Sequence, residues 1–172
     1  MNPVGTSFRR RAAPRIVADA MLAKLARWMR LLGVDVEPLP YVEDDRLLKY
    51  VKRTGAVLLT SDRELYRKSL KRGAAALLVE SHGLISQLKY VFSALSLAPD
   101  VSREICPICG SALLKISSDT AVRRGVPKKI ALRYHEFFLC RKCGKVYWQG
   151  THRRRVLQMA ELVRASLEGA NS

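Results

Sequence analysis

The chain has 172 residues, 48% of them hydrophobic, enough for one ordinary domain or two small ones with real cores, which excludes wholesale disorder. Its 31 Lys and Arg against 15 Asp and Glu give a formal net charge of +16, shared evenly between residues 1–97 and 98–172. Such an excess points to a polyanion, nucleic acid before an anionic membrane surface, and no apolar run approaches the ~20 residues of a membrane span.

Arg9, Arg10 and Arg11 are followed by no apolar stretch, so a secretory signal is not expected and a cytoplasmic location is the default. Arg15 to Asp19 reads as a short buried strand ending in a carboxylate. Met21 to Leu32 is a helix, with Leu22, Leu25, Trp28, Met29 and Leu32 on its apolar side and Lys24, Arg27 and Arg30 as a basic face. Gly33 stops it. Val34 to Glu37 alternates like a strand, and Pro38 and Pro40 end it. A helix from Asp44 carries Leu47, Leu48 and Val51 and closes at Gly55. Ala56 to Thr60 is the apolar run of a strand covered on both faces. The next helix opens on Ser61 and Glu64, spaced as a capping box, and ends at Gly73. Ala75 to Val79 is a strand, Leu84 to Leu95 a helix, and Ala98-Pro99-Asp100 a linker. The alternation implies an α/β domain with a mostly parallel sheet over residues 15–97. A small ribbon over 104–152 and a C-terminal helix over 152–168 complete the chain.

Two knuckles, Cys106-Pro107-Ile108-Cys109-Gly110 and Cys140-Arg141-Lys142-Cys143-Gly144, have the Cys-x-x-Cys-Gly form. Two residues between thiolates let one turn present both sulfurs to one ion, and the glycine tolerates the positive φ that aims backbone N–H groups at them. Two such turns make a tetrahedral Cys₄ site for structural Zn²⁺. Four thiolates leave no open position for catalysis, and a redox dithiol needs only one such pair. His135 and His152 are surplus to a full shell. The ribbon half is expected to be unfolded without its metal.

Asp19 follows the first strand, Asp44 opens the second helix, and Asp62 follows the third strand. In a parallel sheet these positions share the C-terminal edge, where open α/β sheets place their ligands. Each alone reads as a helix cap or a first-turn acid. Together they would repel one another unless a cation sat among them, and Mg²⁺ or Mn²⁺ suits oxygen ligands. Spacing leaves Asp45 beside Asp44 as a further acid, with the Leu47-Leu48 register favouring Asp44. Asp35 reads as exposed.

At this point the residues resemble a known family. Ala18 to Gly33 (ADAMLAKLARWMRLLG), Leu58 to Leu65 (LLTSDREL), the paired knuckles and Tyr147 to His152 (YWQGTH) are similar to successive blocks of the Mut7-C RNase domain family. The resemblance covers about residues 15–155. It implies a PIN-like three-layer domain fused to a zinc ribbon and a predicted ribonuclease activity, with the acidic residues falling on Asp19, Asp44 and Asp62. Ser61 stands where the family usually has Arg, and Thr151 where Ser is usual. PIN-like sites often have a fourth acid, for which Glu64 and Asp45 are candidates. PIN-like domains often pair, which makes a homodimer an open expectation. No exonuclease activity is carried over.

The leading expectation is a metal-dependent ribonuclease. Lys24, Arg27, Arg141, Lys142, Arg153 and Arg154 would contact RNA, and Tyr147 and Trp148 would stack on unpaired bases or pack in the ribbon. The alternatives are a non-catalytic RNA-binding module of a ribosomal or RNA-processing particle, and a toxin-type nuclease, against which the second domain argues.

Overall fold

The computed structural model describes residues 14–38, 43–80, 82–150 and 152–169. Arg9 to Arg11, Pro40 and Thr151 lie outside them, as does the side chain of His152. Strand β1 (Ile16–Ala18) leads through a 3₁₀ turn (Ala20–Leu22) into α1 (Ala23–Leu31), then β2 (Val36–Pro38), α2 (Asp44–Thr54), β3 (Val57–Thr60), α3 (Arg63–Lys71), β4 (Ala76–Leu78) and α4 (Leu84–Ala94). The four strands pair in parallel in the order β2-β1-β3-β4. The connections reverse direction between β1 and β3, the topological switch point of an open α/β sheet.

Both faces of this sheet are covered. Ile16, Ala18, Val57 and Leu59 join one apolar cluster with α1 and α4, while Val17 and Leu58 join another with α2 and α3. Successive strand residues point to opposite faces, so a strand buried on both reads as an unbroken apolar run.

Glycines end the helices as expected. At the end of α1, Gly33 N–H donates to Arg30 O at 3.0 Å and Val34 N–H to Met29 O at 2.9 Å, a Schellman cap. Val34 therefore belongs to the cap, and β2 begins two residues later than its alternation suggests. The strand takes in Pro38, which an edge strand tolerates because its missing N–H can face outward. A capping box at Ser61 does not form. Asp62 caps α3, its Oδ1 accepting from Glu64 N at 2.7 Å and Leu65 N at 3.1 Å, while Ser61 Oγ lies 3.8 Å from Met21 Sδ.

The second half is a three-stranded antiparallel sheet, order β5-β6-β7, of β5 (Leu113–Ile116), β6 (Phe137–Cys140) and β7 (Val146–Trp148). Two short helices, α5 (Ser118–Arg123) and α6 (Lys128–Arg133), lie between β5 and β6 and account for the long separation of the knuckles. Ser117 caps α5 by accepting from Thr120 N at 3.2 Å, and Ala121 and Val126 pack on Phe137.

The last helix, α7 (His152–Glu168), returns to the first domain and lies along α4. Its Ala160 and Val163 are fully buried in the same cluster as Leu88, Val91 and Phe92 of α4, with Val156, Met159 and Leu167 flanking them. The segment read as a linker is equally fixed. Asp100 N–H donates to Leu32 O at 2.9 Å, and Arg164 donates to Pro99 O at 3.0 Å. Gly33 (φ +82°) lies so close to this corner that a Cβ on it would come within 1.9 Å of Asp100 O. Among the described residues no helix is long and apolar enough to cross a membrane.

Candidate metal centre and carboxylate edge

The two knuckles fold alike. Cys106 N–H donates to Ser111 O at 2.8 Å and Gly110 N–H to Cys106 O at 2.9 Å; Cys140 N–H donates to Lys145 O at 2.9 Å and Gly144 N–H to Cys140 O at 2.8 Å. Gly110 and Gly144 have φ of +73° and +72°, the conformation that favours glycine. The four sulfurs all lie within 4.8 Å of one another. Cys106 and Cys143 are 3.7 Å apart and Cys109 and Cys140 3.3 Å. Tetrahedral Zn²⁺ with bonds of about 2.3 Å separates its sulfurs by about 3.8 Å. The donor set and its spacing therefore suit zinc.

Burial pushes the Cys140 thiol up to about 12, whereas Cys109, despite burial, is drawn down to about 6 by its hydrogen bonds with Ser111. A bound Zn²⁺ holds all four sulfurs as thiolates, leaving a net charge of −2 to be balanced. Around this charge stand groups that the sequence reading did not assign to it. Tyr147 hydroxyl lies 3.2 Å from Cys106 Sγ, and burial followed by that contact pushes its ionisation up, so it stays a donor. Strand alternation turns the neighbouring Trp148 outward.

Arg30, expected on an exposed basic face, is instead 5% exposed. Its Nε donates to Val36 O at 2.7 Å, and one guanidinium nitrogen donates to Pro107 O and Ile108 O at 3.1 Å each. Burial lowers its pKa, and Cys106, Cys109 and Asp35 act against that loss. Helical periodicity could not have separated Arg30 from Lys24 and Arg27, because two of its three partners are nearly eighty positions further along the chain.

At the C-terminal edge of the parallel sheet, Asp19 and Asp62 flank the switch point. Asp19 N–H donates to Leu59 O at 3.0 Å, setting the end of β1 against β3. The buried Thr60 hydroxyl donates to Asp19 Oδ2, and Thr60 Oγ1 accepts from Asp62 N–H at 3.0 Å. One side chain thus ties both aspartates together. Thr60 was missed because a threonine at the end of an apolar strand run reads as a β-branched filler. Asp19 Oδ1 also accepts from Met21 N at 2.6 Å, so both aspartates do serve as caps.

Asp44 has other partners. Glu43 occupies the N-cap of α2, and Asp44 Oδ2 accepts from Lys68 Nζ at 3.1 Å, with Glu64 3.7 Å from the same ammonium. The hydrogen bond with Asp44 raises the Lys68 pKa. Asp45 points to Arg72 at 2.7 Å, whose hydrogen bond lowers its pKa. Among the described residues, the cysteines are the one group of three or more His, Cys, Asp or Glu with ligand atoms within 4.8 Å of one another. The three aspartates are not drawn into such a group. Lys24, Arg27, Arg141, Lys142, Arg153 and Arg154 are all exposed, and Asp35 is exposed as expected.

Residues 14–160 match the family model described as the Mut7-C RNAse domain. No curated protein and no solved structure matches the chain. The family suggests a nuclease-like role with RNA as substrate. The matched span contains the parallel sheet, the aspartate edge and the cysteine set, and the chain belongs to the Mut7-C RNAse domain family.

Proposed function

We propose that this protein is a divalent-metal-dependent ribonuclease whose chemistry is carried by Asp19, Asp44 and Asp62, over a zinc ribbon that helps to hold the RNA. The observation that supports it is the convergence of Asp19 and Asp62 on Thr60 at the switch point of the sheet. Their oxygens are hard donors, and each carboxylate oxygen has two lone-pair directions, so the capping bonds leave ligand capacity. Mg²⁺ or Mn²⁺ bound there supplies water activation and neutralises charge growing on the phosphate. Thr60 and the Met21 N–H hold the Asp19 carboxylate, and the Glu64 and Leu65 N–H groups hold that of Asp62, before substrate arrives. Asp44, at the start of α2, is paired with Lys68 at 3.1 Å. Asp45 and Glu64 are the candidates for a fourth acid.

In this reading residues 15–97 form the catalytic unit, 104–152 the ribbon and 152–168 a helix that straps the two together. Four reduced thiolates on zinc fit a reducing compartment such as the cytoplasm.

The pairing of Asp44 with Lys68, and the capping duties of Asp19 and Asp62, favour a second reading, a non-catalytic RNA-binding module. Incubation of the purified protein with end-labelled mixed RNAs, with Mn²⁺ and with EDTA, separates the two. Cleavage that needs Mn²⁺ and disappears in Asp62→Asn supports the nuclease; RNA binding with intact RNA at every metal concentration supports the module.

A further inference from the structure

A groove of about 760 Å³ runs between α1, the ribbon sheet and the start of α7. One wall carries Lys24, Arg27 and Trp28, and the other carries Tyr134, Trp148 and Arg153. Arg103 and Arg155 extend the basic rim, and Glu104 is the one acid lining it. Glu104 is drawn toward its neutral form by burial.

We propose that this groove binds an unpaired stretch of RNA, with phosphates on the basic rim and a base stacked on Trp148 beside Tyr134. The proposal rests on the nucleic-acid reading above but does not require cleavage. Its argument is the combination of charges and rings. Five exposed cations against one half-buried acid suit a polyanion and give an apolar peptide nothing to pair with. Aromatic surfaces between those cations suit bases whose faces are free, whereas in a duplex the faces are already stacked.

The geometry agrees. Trp148 is 39% exposed although it lies within a strand. Gly150 sits between the two rings: a Cβ on it would come 3.2 Å from Trp148 Nε1 and 3.7 Å from Tyr134 Cζ. The two rings therefore lie side by side against Gly150, where a side chain would crowd them. Along the opposite wall Lys24, Arg27 and Leu31 climb α1 in steps of about 5 Å. The same helix begins just after Asp19, so a strand lying along it leads from the aromatic pair toward the carboxylate edge.

The chain has two tryptophans, and both Trp28 and Trp148 line the groove, so intrinsic fluorescence reports on it directly. Zinc-loaded, full-length protein is titrated without divalent cations with a labelled single-stranded RNA and with a blunt RNA duplex, reading anisotropy and tryptophan emission together. Tighter binding of the single strand with quenching is expected. Trp148→Ala should weaken binding roughly 5- to 150-fold, the range of one lost base stack, and Trp148→Phe should restore most of it. Lys24→Ala with Arg27→Ala should lower the salt slope by about two phosphates. Unchanged affinity in Trp148→Ala and in the double variant, at full zinc content, overturns the proposal. So does tighter duplex binding without quenching, or no binding of either RNA. Strong groove-dependent binding with no Mn²⁺-dependent cleavage leaves the groove standing and defeats the ribonuclease reading. Cleavage by groove variants with unaltered affinity does the reverse.

Discussion

The guanidinium of Arg30, buried at the end of α1, donates to the carbonyl oxygen of Ile108 at the centre of the first cysteine knuckle, 78 positions away in sequence. The same nitrogen reaches Pro107 O, and Nε reaches Val36 O. One cation thus ties α1, β2 and the first cysteine turn together and places positive charge beside Cys106 and Cys109.

Arg30→Leu should strand these carbonyls and remove the balancing charge. A loss of about 3 kcal/mol is expected, since hydrogen bonds to charged groups contribute about 1.5–3 kcal/mol each. Zinc should also leave faster. Arg30→Lys should recover only part, because a point charge cannot span three acceptors as a planar fork does. Thermal unfolding and the rate of zinc transfer to a chromogenic chelator check both; wild-type transfer in Arg30→Leu would show that the contact does not support the site.

Cys140→Ser should lose zinc and unfold the ribbon, because binding free energy at such a site is folding free energy. Native mass spectrometry and circular dichroism read the two effects. A full zinc complement in the variant would refute the four-cysteine assignment.

Thr60→Val keeps the shape of a fully buried residue but removes the hydroxyl that joins Asp19 to Asp62. Cleavage should fall by about 10- to 100-fold, on the scale seen when supporting partners of metal ligands are lost. Asp62→Asn should abolish it with the fold intact. A Thr60→Val protein cleaving at the wild-type rate would mean that the aspartates are positioned without it.

Gly33→Ala tests the corner between the halves. Its φ of +82° and the 1.9 Å approach to Asp100 O leave no room for a methyl group. Beyond the roughly 1 kcal/mol of an unfavourable backbone conformation, the clash with main chain should cost several kcal/mol more, consistent with severe cases of strain and overpacking. A melting temperature within a degree or two of wild type would show that the corner can move.

Affinity for unpaired RNA should fall about 300-fold between 50 and 200 mM salt if roughly six phosphates are neutralised. A flat dependence, measured by anisotropy, would remove the basic rim from the interface.

The parallel sheet was legible because a sheet buried on both faces imposes unbroken apolar runs such as Ala56 to Leu59, punctuated by Gly33, Gly55 and Gly73. The cysteine set was legible because a tight turn demands its spacing. What could not be read were relations across the chain. Arg30 shares a helical stripe with Lys24 and Arg27, yet it is buried by carbonyls from another domain. Asp44 fits the pattern of a cap, but Lys68 takes its carboxylate. The helices between the knuckles hid because each is only six residues long, too short for a periodic signal.

The return of α7 across α4 has a bearing on biosynthesis. On the ribosome the parallel sheet and α4 emerge long before Ala160 and Val163, which complete their core. Leu88, Val91 and Phe92 stay under-packed until the ribbon and the last helix have been made. A polypeptide interrupted in between carries Asp19, Asp44 and Asp62 yet lacks the closing layer, which leaves the apolar side of α4 open to proteases.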